Sequence, residues 1–377
     1  MSLCINATNP MSDSPDSHDD EIRRQRVAIV GQGPVSLALR AMLLRAGFRA
    51  RDLITQGHAG DLPDGLAARA IALSAGSLDL LSRIGVTPPG ATIAVVDIGR
   101  ARSVGHARLE AREFGREALG RVVRYRELYG ALAAAQPPPL TDRDDVNAAS
   151  ITILADGDPG EDALTREFAQ LALQAEIQVT HDQPGVAFER FTGEGPLALL
   201  PLPEPGRRAL VWCAPESIAR ERQALSPDEF ERLLGRAFGP ALGRLRLDSP
   251  RHVAPLARRR RRTSGAAHLV AIGNAAQSLH PVAGQGFNLG LRDAFVLANC
   301  LGEAHADARS LADAIQSFER ARARDRDLTC AITDQLALLP QIEFLRPLQS
   351  LSLSAIDQCP TLRRAIGRGF MFGWRSI

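Results

Sequence analysis

The most constraining feature of the sequence is a short apolar run followed directly by a glycine turn and a helical pattern. Residues 27–30 (VAIV) suit a buried parallel strand. Residues 31–36 (GQGPVS) follow, and residues 37–46 read as a helix that Gly47 ends. In such a unit, Gly31 allows the tight turn, Gly33 lets backbone approach a diphosphate, and the helix N-terminus faces its charge. The chain is predicted to open as a dinucleotide-binding βαβ unit, with an ordinary α/β turn as the alternative.

This opening departs from the dinucleotide-binding fingerprint at two points. Ser36 occupies the third glycine position, and no acidic residue ends the predicted second strand, residues 50–54. Thr55 and Gln56 stand at that end instead. Asp52 lies near the spacing expected for an acid that binds the ribose, but it falls within the predicted strand.

Composition limits the chemistry that the chain can perform. All 45 basic side chains are Arg, which excludes a Schiff-base lysine, a pyridoxal-phosphate anchor and a Walker lysine. A net charge of +2 argues against a nucleic-acid binder. The 5 cysteines are scattered without a CxxC motif, so neither a disulfide framework nor a metal site is predicted, and a reducing cytoplasmic setting is expected. The length of 377 residues suggests about two domains.

The remaining pattern predicts alternating strands and helices, with helices dominating from residue 310 onward. Residues 122–135 read as a helix, and Ser226 with Glu229 forms a capping box for another. Residues 258–262 are five consecutive arginines, predicted as a solvated loop, with contact to anionic lipid or an acidic partner as the alternative. The alternating arginines between 320 and 326 are expected around a solvated helix. Predicted strands cover residues 91–109, 151–154, 197–202, 209–212 and 268–272.

The segment 273–294 (GNAAQSLHPVAGQGFNLGLRDA) carries the most chemical information. It follows a predicted buried strand and opens a long helix near Gly286. Gly284 and Gly286 flank Gln285, so the backbone can come close to a flat ligand. The positive end of the helix would stabilise negative charge there, such as that on a reduced flavin.

On this segment the sequence resembles the ubiquinone-biosynthesis hydroxylases, a branch of the p-hydroxybenzoate-hydroxylase-like FAD monooxygenases. Supporting matches are residues 69–73 (RAIAL), 83–86 (RIGV), 188–192 (FERFT) and 195–201 (GPLALLP). The resemblance implies FAD as cofactor and NADPH or NADH as reductant. It further implies that a flavin C4a-hydroperoxide hydroxylates a polyprenylated phenol.

The resemblance also implies a set of cofactor-binding residues. It assigns no catalytic side chain, and His280 is expected to be structural or adjacent to the flavin. The residues assigned to FAD are Gly31, Gly33, Ser36, Arg69, Arg126, Asp156, Gly157, Gly273, Asn274, Pro281, Gly284, Gln285, Gly286, Phe287 and Asn288.

The implied fold class is α/β, with a Rossmann-like FAD-binding domain interleaved with a mixed β-sheet substrate domain and a C-terminal helical region. Residues 1–25 are predicted to be a disordered tail. The FAD-binding domain is expected over 26–90, a shortened 120–160, and 256–305; the substrate domain over 91–119 and 161–255; and C-terminal helices over 306–377.

The nucleotide half of the predicted site departs further from the family pattern. Asp156 and Gly157 are followed by Asp158-Pro159-Gly160-Glu161-Asp162, and these acids would repel a diphosphate. A non-catalytic paralogue acting as a scaffold in a quinone-biosynthesis complex is therefore the alternative function. A flavoprotein acting on another aromatic substrate is a third. Expected partners are a small aromatic substrate, other quinone-biosynthesis proteins and the surface of the inner membrane, without nucleic acid.

Overall fold

The computed structural model describes residues 26–57, 64–101, 105–137, 149–262, 265–266, 268–307, 309–338, 342 and 346–374. The predicted N-terminal tail lies outside these residues. The strands are β1 (Val27–Val30), β2 (Leu53–Gln56), β3 (Ala70–Ser74), β4 (Ala91–Ile93), β5 (Val95–Arg100), β6 (His106–Glu110), β7 (Gly120–Arg124), β8 (Ile151–Leu154), β9 (Leu164–Val179), β10 (Val186–Phe191), β11 (Pro196–Pro201), β12 (Arg207–Pro215), β13 (Leu245–Leu247), β14 (His252–Arg260), β15 (Gly265–Ala266) and β16 (Leu269–Ala271). The helices are α1 (Pro34–Arg45), α2 (Asp64–Ala67), α3 (Ala75–Arg83), α4 (Tyr125–Ala134), α5 (Glu216–Ala224), α6 (Pro227–Phe238), α7 (Gln285–Ala306), α8 (Leu311–Leu338), α9 (Arg346–Gln358) and α10 (Pro360–Phe372).

A five-stranded sheet carries the glycine turn. Its order is β15-β16-β8-β1-β2, and β1, β2, β8 and β16 run parallel. Strand β1 is apolar because α1, α4 and α7 pack with this sheet in one continuous core. The parallel strands end at the same edge of the sheet, so the loops after residues 30, 56, 154 and 271 meet there.

An eight-stranded sheet forms a second layer, in the order β13-β9-β12-β11-β10-β5-β6, with β14 also paired to β9. Strand β9 is 16 residues long and pairs with β12, β13 and β14 along its length. The predicted strands over 197–202 and 209–212 are confirmed as β11 and β12. Helix α6 packs on one face of this sheet, and its predicted capping box between Ser226 and Glu229 is present.

A three-stranded antiparallel sheet, β3-β7-β4, packs against both layers, since Val123 belongs to the core of the first and Val122 packs with residues of the second. The prediction of one helix over residues 122–135 is wrong in its first part, because β7 occupies Gly120–Arg124 and α4 begins only at Tyr125. Val122 and Val123 are fully buried where β7 pairs with β3. Branched side chains pack well on such a pleated surface, and this packing outweighs the helical spacing.

The C-terminal part is helical as predicted, but its alternating arginines do not all face solvent. Arg322 and Arg326 lie one turn apart on α8 and are buried against Asp293 of α7. The Nε atoms of the two arginines lie 2.7 and 3.2 Å from Asp293 Oδ1. Arg322 also pairs with Asp325. A buried arginine needs such carboxylate partners, so this network fixes α8 against α7.

The five-arginine segment is also placed differently from the prediction of a solvated loop. Residues 258–260 form the end of β14, paired with β9. Arg258 Nη1 lies 2.8 Å from Asp334 Oδ2, and Arg260 Nη1 lies 2.7 Å from Asp327 Oδ1. Strand pairing and carboxylate partners within the chain therefore hold this end of the run in place.

Candidate active site

The glycine turn after β1 has the geometry expected of a phosphate-binding loop. Gly31 has a φ of +117°, and a Cβ there would lie 2.6 Å from the Ala155 carbonyl carbon, so only glycine fits. At Gly33, the N-cap of α1, a Cβ would meet only the Tyr125 hydroxyl, at 3.7 Å. Buried Ser36 turns its hydroxyl inward and donates to the Gly33 carbonyl at 2.7 Å. The first turn of α1 contains no acidic residue, so its positive end is not neutralised locally.

The end of β2 is where a ribose-binding acid would stand. The strand runs from Leu53 to Gln56, later than predicted, and Asp52 precedes it in a short 3₁₀ turn with Arg49 3.6 Å away. Asp52 is thus at the opposite end of the strand from the glycine turn. Gln56 is exposed at the relevant edge, and Thr55 is buried. An amide side chain therefore stands where the fingerprint has a carboxylate.

The loop after β8 holds the predicted second fingerprint. Asp156 is exposed, and its carboxylate accepts a hydrogen bond from the Asp158 N–H at 3.1 Å. Gly157 has a φ of +90°. This loop positions both residues at the same edge as the glycine turn.

The arginine run contacts this loop, through one carboxylate and three backbone carbonyls. Arg259 Nη1 lies 3.2 Å from Asp158 Oδ1, and its Nη2 donates to the Gly160 carbonyl at 2.7 Å. Arg261 donates to the Asp158 carbonyl, and Arg262 to the Asp162 carbonyl, each at 3.0 Å. Guanidinium groups about 100 residues later in the chain therefore hold this loop, and one of them pairs with the Asp158 carboxylate.

The loop after β16 brings α7 against α1. Gly273 has a φ of +59°, and a Cβ there would approach Val35 within 3.3 Å. A Cβ on Gly290 of α7 would lie 3.0 Å from the Gly273 Cα. Asp293 accepts the Gly273 N–H at 3.2 Å, which ties the loop to the buried arginine network. Asn274, next in the chain, is exposed at the sheet edge.

The segment before α7 forms the predicted flavin-ring region. Gly284, the N-cap of α7, has a φ of +60° and packs against Ala72, whose Cβ would lie 3.2 Å from an added Cβ. At Gly286, an added Cβ meets nothing within 4 Å. Gln285 is buried and donates to the Phe370 carbonyl at 3.3 Å. The first turn of α7 has no acidic residue and no side-chain cap, which leaves N–H groups available to a negatively charged ligand.

Asn288 has a structural position rather than an open one. Its Oδ1 accepts from the Ser74 N–H at 2.9 Å and the Ser77 hydroxyl at 2.7 Å. Its Nδ2 donates to the carbonyls of Ala72 at 2.9 Å and Gly284 at 2.8 Å. These four bonds saturate the amide. The side chain therefore fixes α7 to β3 and α3 and has no capacity left for a ligand.

The other residues predicted to contact the cofactor near this segment are more exposed than Gln285 and Asn288. Pro281 is partly buried and precedes the short turn Val282–Gly284. Phe287 is partly buried against the main core. Arg69 and Arg126 are both exposed, and Arg126 Nε lies 3.4 Å from Glu127 Oε1. The Arg69 carbonyl accepts from the Tyr125 N–H at 2.8 Å, which joins the two segments beside the glycine turn.

His280 is fully buried immediately before this segment. Its Nδ1 accepts from the Val282 N–H at 3.2 Å, and its Nε2 therefore carries the proton that faces Gln170 Oε1, also at 3.2 Å. Burial lowers the pKa of His280 to about 4, so the ring is neutral at physiological pH. This geometry agrees with a structural role.

No local sequence pattern indicates several residues that complete the site. The Ser74 and Ser77 hydroxyls belong to the Asn288 network. The C-terminal helix α10 reaches the same region, where Ser74 donates to the Met371 carbonyl at 2.8 Å. These contacts join segments more than 200 residues apart, so no local pattern indicates them.

Comparison with known proteins agrees with this geometry. The chain is 30% identical over 405 residues to ubiquinone hydroxylase UbiL of Rhodospirillum rubrum, covering 97% of the chain and 92% of that protein. The chain belongs to the ubiquinone-biosynthesis hydroxylases. It is also 27% identical to the 3-demethoxyubiquinol 3-hydroxylase of Escherichia coli, over 52% of the chain and 51% of that protein. The family model described as FAD binding domain matches residues 158–326.

The fold comparison points the same way. The chain superposes on PqsL, a probable FAD-dependent monooxygenase of Pseudomonas aeruginosa, with a TM-score of 0.71 at 17% identity. The match covers 88% of this chain and 99% of that one. At this identity the similarity concerns the fold, which is α/β with the sheet arrangement of FAD-dependent monooxygenases.

The residues present fit FAD. Two helix N-termini without acidic first-turn residues, those of α1 and α7, belong to helices that meet where Val35 contacts Gly273 and Gly290. The Cβ positions of Gly33 and Gly286 have no protein neighbour closer than 3.7 Å. A flat, anionic cofactor needs both features, since helix ends favour its charge and glycines allow close backbone approach.

Proposed function

We propose that the chain is a FAD-dependent monooxygenase that hydroxylates a polyprenylated phenol in ubiquinone biosynthesis, with NADPH or NADH as reductant. The observation that carries the proposal is the position of the loop 281–286. This loop joins the helix end suited to FAD and contacts the face of the eight-stranded sheet through Val282, which packs with Phe168. Bound FAD would supply the oxygen activation that the side chains themselves cannot perform.

The sheet face opposite this loop supports a substrate site. Across the central strands, Gln174, Val211, Ala198, Glu189 and Ile98 are cross-strand neighbours on one row. All five are partly accessible. We name this row the sheet pocket. Its apolar members and small Ala198 suit an aromatic ring.

The chain's own residues have three tasks in this proposal. Gly31, Gly33 and the α1 N-terminus would hold the diphosphate. The Gly284–Gly286 segment would lie against the flavin ring, with the α7 N-terminus near its most electronegative edge. The three sheets would enclose substrate and ring together, which excludes water from the reaction.

The absorbance spectrum of the purified chain with added FAD tests the proposal. We expect flavin bands that remain with the protein through gel filtration, and oxidation of NADPH or NADH that a prenylated phenol accelerates. A chain that retains no flavin would contradict the proposal and favour the scaffold alternative, which the amide at Gln56 motivates.

We further propose that the chain contacts a membrane surface through α9 and α10, because a prenylated substrate resides in lipid. Leu348 and Leu351 of α9 are 59% and 67% exposed and lie one turn apart. The one acid of α9, Asp357, faces inward and accepts from the Arg108 N–H at 3.1 Å. Exposed Arg364 on α10 adds positive charge. An apolar surface with basic neighbours suits an anionic bilayer.

Flotation with phosphatidylglycerol vesicles, compared with phosphatidylcholine vesicles, tests this contact. We expect the chain to float with the anionic vesicles and the double variant Leu348→Ser, Leu351→Ser to lose most of that binding. Leu164→Ser is the matched control, since Leu164 is 52% exposed at the start of β9. Equal flotation of all three proteins would contradict the proposed surface. Among the described helices, none is both long and apolar enough to span a bilayer.

A further inference from the structure

The sheet pocket is the one row of the central strands in which all five residues are partly accessible. In the next row on one side, Ala187 and Ala209 are buried and the other three residues are partly accessible. On the other side, Cys213 and Ala172 are buried. The central row is partly accessible along its whole length, whereas buried residues interrupt the row on each side.

Two separate apolar clusters cover the flanks. One joins Ala187 and Ala209 to Val122 and Met371, and the other joins Phe191 to Val282. The loop 281–286 reaches both, because Val282 belongs to the second cluster and Gly284 packs on Ala72, which contacts the first. The loop that would carry the flavin ring therefore contacts the clusters on both sides of the sheet pocket.

Glu189 is the one acidic member of the sheet pocket. Its neighbour Arg190 points to the opposite face, where its Nη2 lies 2.8 Å from Asp97 Oδ1. Among the residues that the structure describes, no donor or cation pairs with the Glu189 carboxylate. Burial raises the pKa of Glu189 to about 7, and the charge of Arg190 only partly opposes this effect. A half-buried carboxyl that no protein group pairs with can accept a hydrogen bond from a ligand.

We propose that Glu189 is the residue that recognises the substrate, by accepting a hydrogen bond from the phenol hydroxyl beneath the loop 281–286. This assignment rests on the proposed function, and it names a substrate-contacting residue where the sequence indicated none. The phenol O–H bond transfers its proton to the carboxylate, a carboxyl O–H forms, and the electron pair stays on the ring oxygen. No oxidation or reduction occurs in this step. The resulting phenolate enriches the ring carbons in electrons.

Gln174, the other polar member of the pocket, and Cys213 of the flanking row suit this task less well. Gln174 carries no charge and cannot take a proton. Cys213 is fully buried, and burial raises the pKa of its thiol far above neutral pH. Glu189 alone combines partial accessibility, a central position and proton affinity near neutrality.

The test compares a phenol with its methyl ether, because the ether keeps the ring and the oxygen but lacks the proton. The probes are 2-(3-methylbut-2-enyl)phenol and its O-methyl ether, titrated by calorimetry into the full chain with FAD added. The wild-type chain should bind the phenol more tightly than the ether. In Glu189→Gln this preference should fall at least about tenfold, since a charge-assisted hydrogen bond is lost.

Glu216→Gln is the matched control, because Glu216 is exposed and pairs only with Arg220 one turn away. It should keep the wild-type preference. A Glu189→Gln preference within about twofold of wild type, or a wild-type chain that binds neither probe, would overturn the assignment. Calorimetric binding does not need bound flavin, so the flavin spectrum of the same samples reports separately on the proposed function.

Discussion

The substitution Gly286→Ala should change the affinity for FAD without lowering the stability of the fold. A Cβ at this position meets no protein atom within 4 Å, so Gly286→Ala introduces no clash within the chain. Replacing a helical glycine by alanine adds up to about 1 kcal/mol of stability. The free energy of unfolding should therefore stay equal or rise slightly, although the residue lies in the centre of the candidate site.

The cofactor should respond in the opposite direction. If the flavin ring lies against Gly286, the added methyl overpacks that contact at a cost of about 1–3 kcal/mol. This corresponds to an increase of about five- to 150-fold in the Kd for FAD. The Kd is measured by quenching of FAD fluorescence, and the stability by urea unfolding of the FAD-free chain.

Gly235→Ala in α6 is the matched control, since its Cβ also meets nothing within 4 Å. It should gain the same stability without a change in the Kd for FAD. If Gly286→Ala binds FAD as tightly as Gly235→Ala, the ring does not lie against this helix end, and the reasoning from the open glycine is refuted.

Three further changes test separate parts of the structure. Asn288→Ala should lower the free energy of unfolding, measured by urea denaturation, by about 2–4 kcal/mol, since it leaves several buried groups unpaired. A loss below about 1 kcal/mol would contradict the role of Asn288 in joining α7 to β3 and α3. The folded-state pKa of His280 is lowered to about 4, so protonation favours the unfolded state and stability falls as pH drops from about 6.5 to 4. His280→Gln should remove about 3 kcal/mol of that acid sensitivity, and an unchanged pH dependence of unfolding would count against it. Gln56→Glu should lower the Kd for FAD about three- to tenfold by restoring a ribose acceptor, whereas no change would show that the end of β2 does not reach the ribose.

Local patterns were sufficient to predict the first part of the site. The apolar run of β1, the glycine turn and α1 lie within 20 consecutive residues, and Gly31 is fixed by its own φ and by the adjacent β8. The capping box at Ser226 is equally local. Such features depend on spacing and backbone geometry, which the sequence displays directly.

Contacts between distant segments could not be predicted in the same way. The resemblance to the family predicted that Asn288 lines the flavin ring, but its hydrogen-bond partners Ser74 and Ser77 lie more than 200 residues away in the chain. The alternating pattern predicted that Arg322 faces solvent, but α8 packs on α7 and places this side chain against Asp293. The pairing of Arg259 with Asp158 is likewise absent from any local pattern, because the two residues meet only where the end of β14 lies beside the loop after β8.

The incorporation of labelled oxygen is the most direct test of the central claim. The chain is incubated with FAD, NADPH or NADH, 2-(3-methylbut-2-enyl)phenol and ¹⁸O₂, and the products are analysed by mass spectrometry. We expect a catechol- or hydroquinone-type product that contains one ¹⁸O atom per ring and forms only with all components present. Reductant oxidation and flavin binding without labelled product would contradict it.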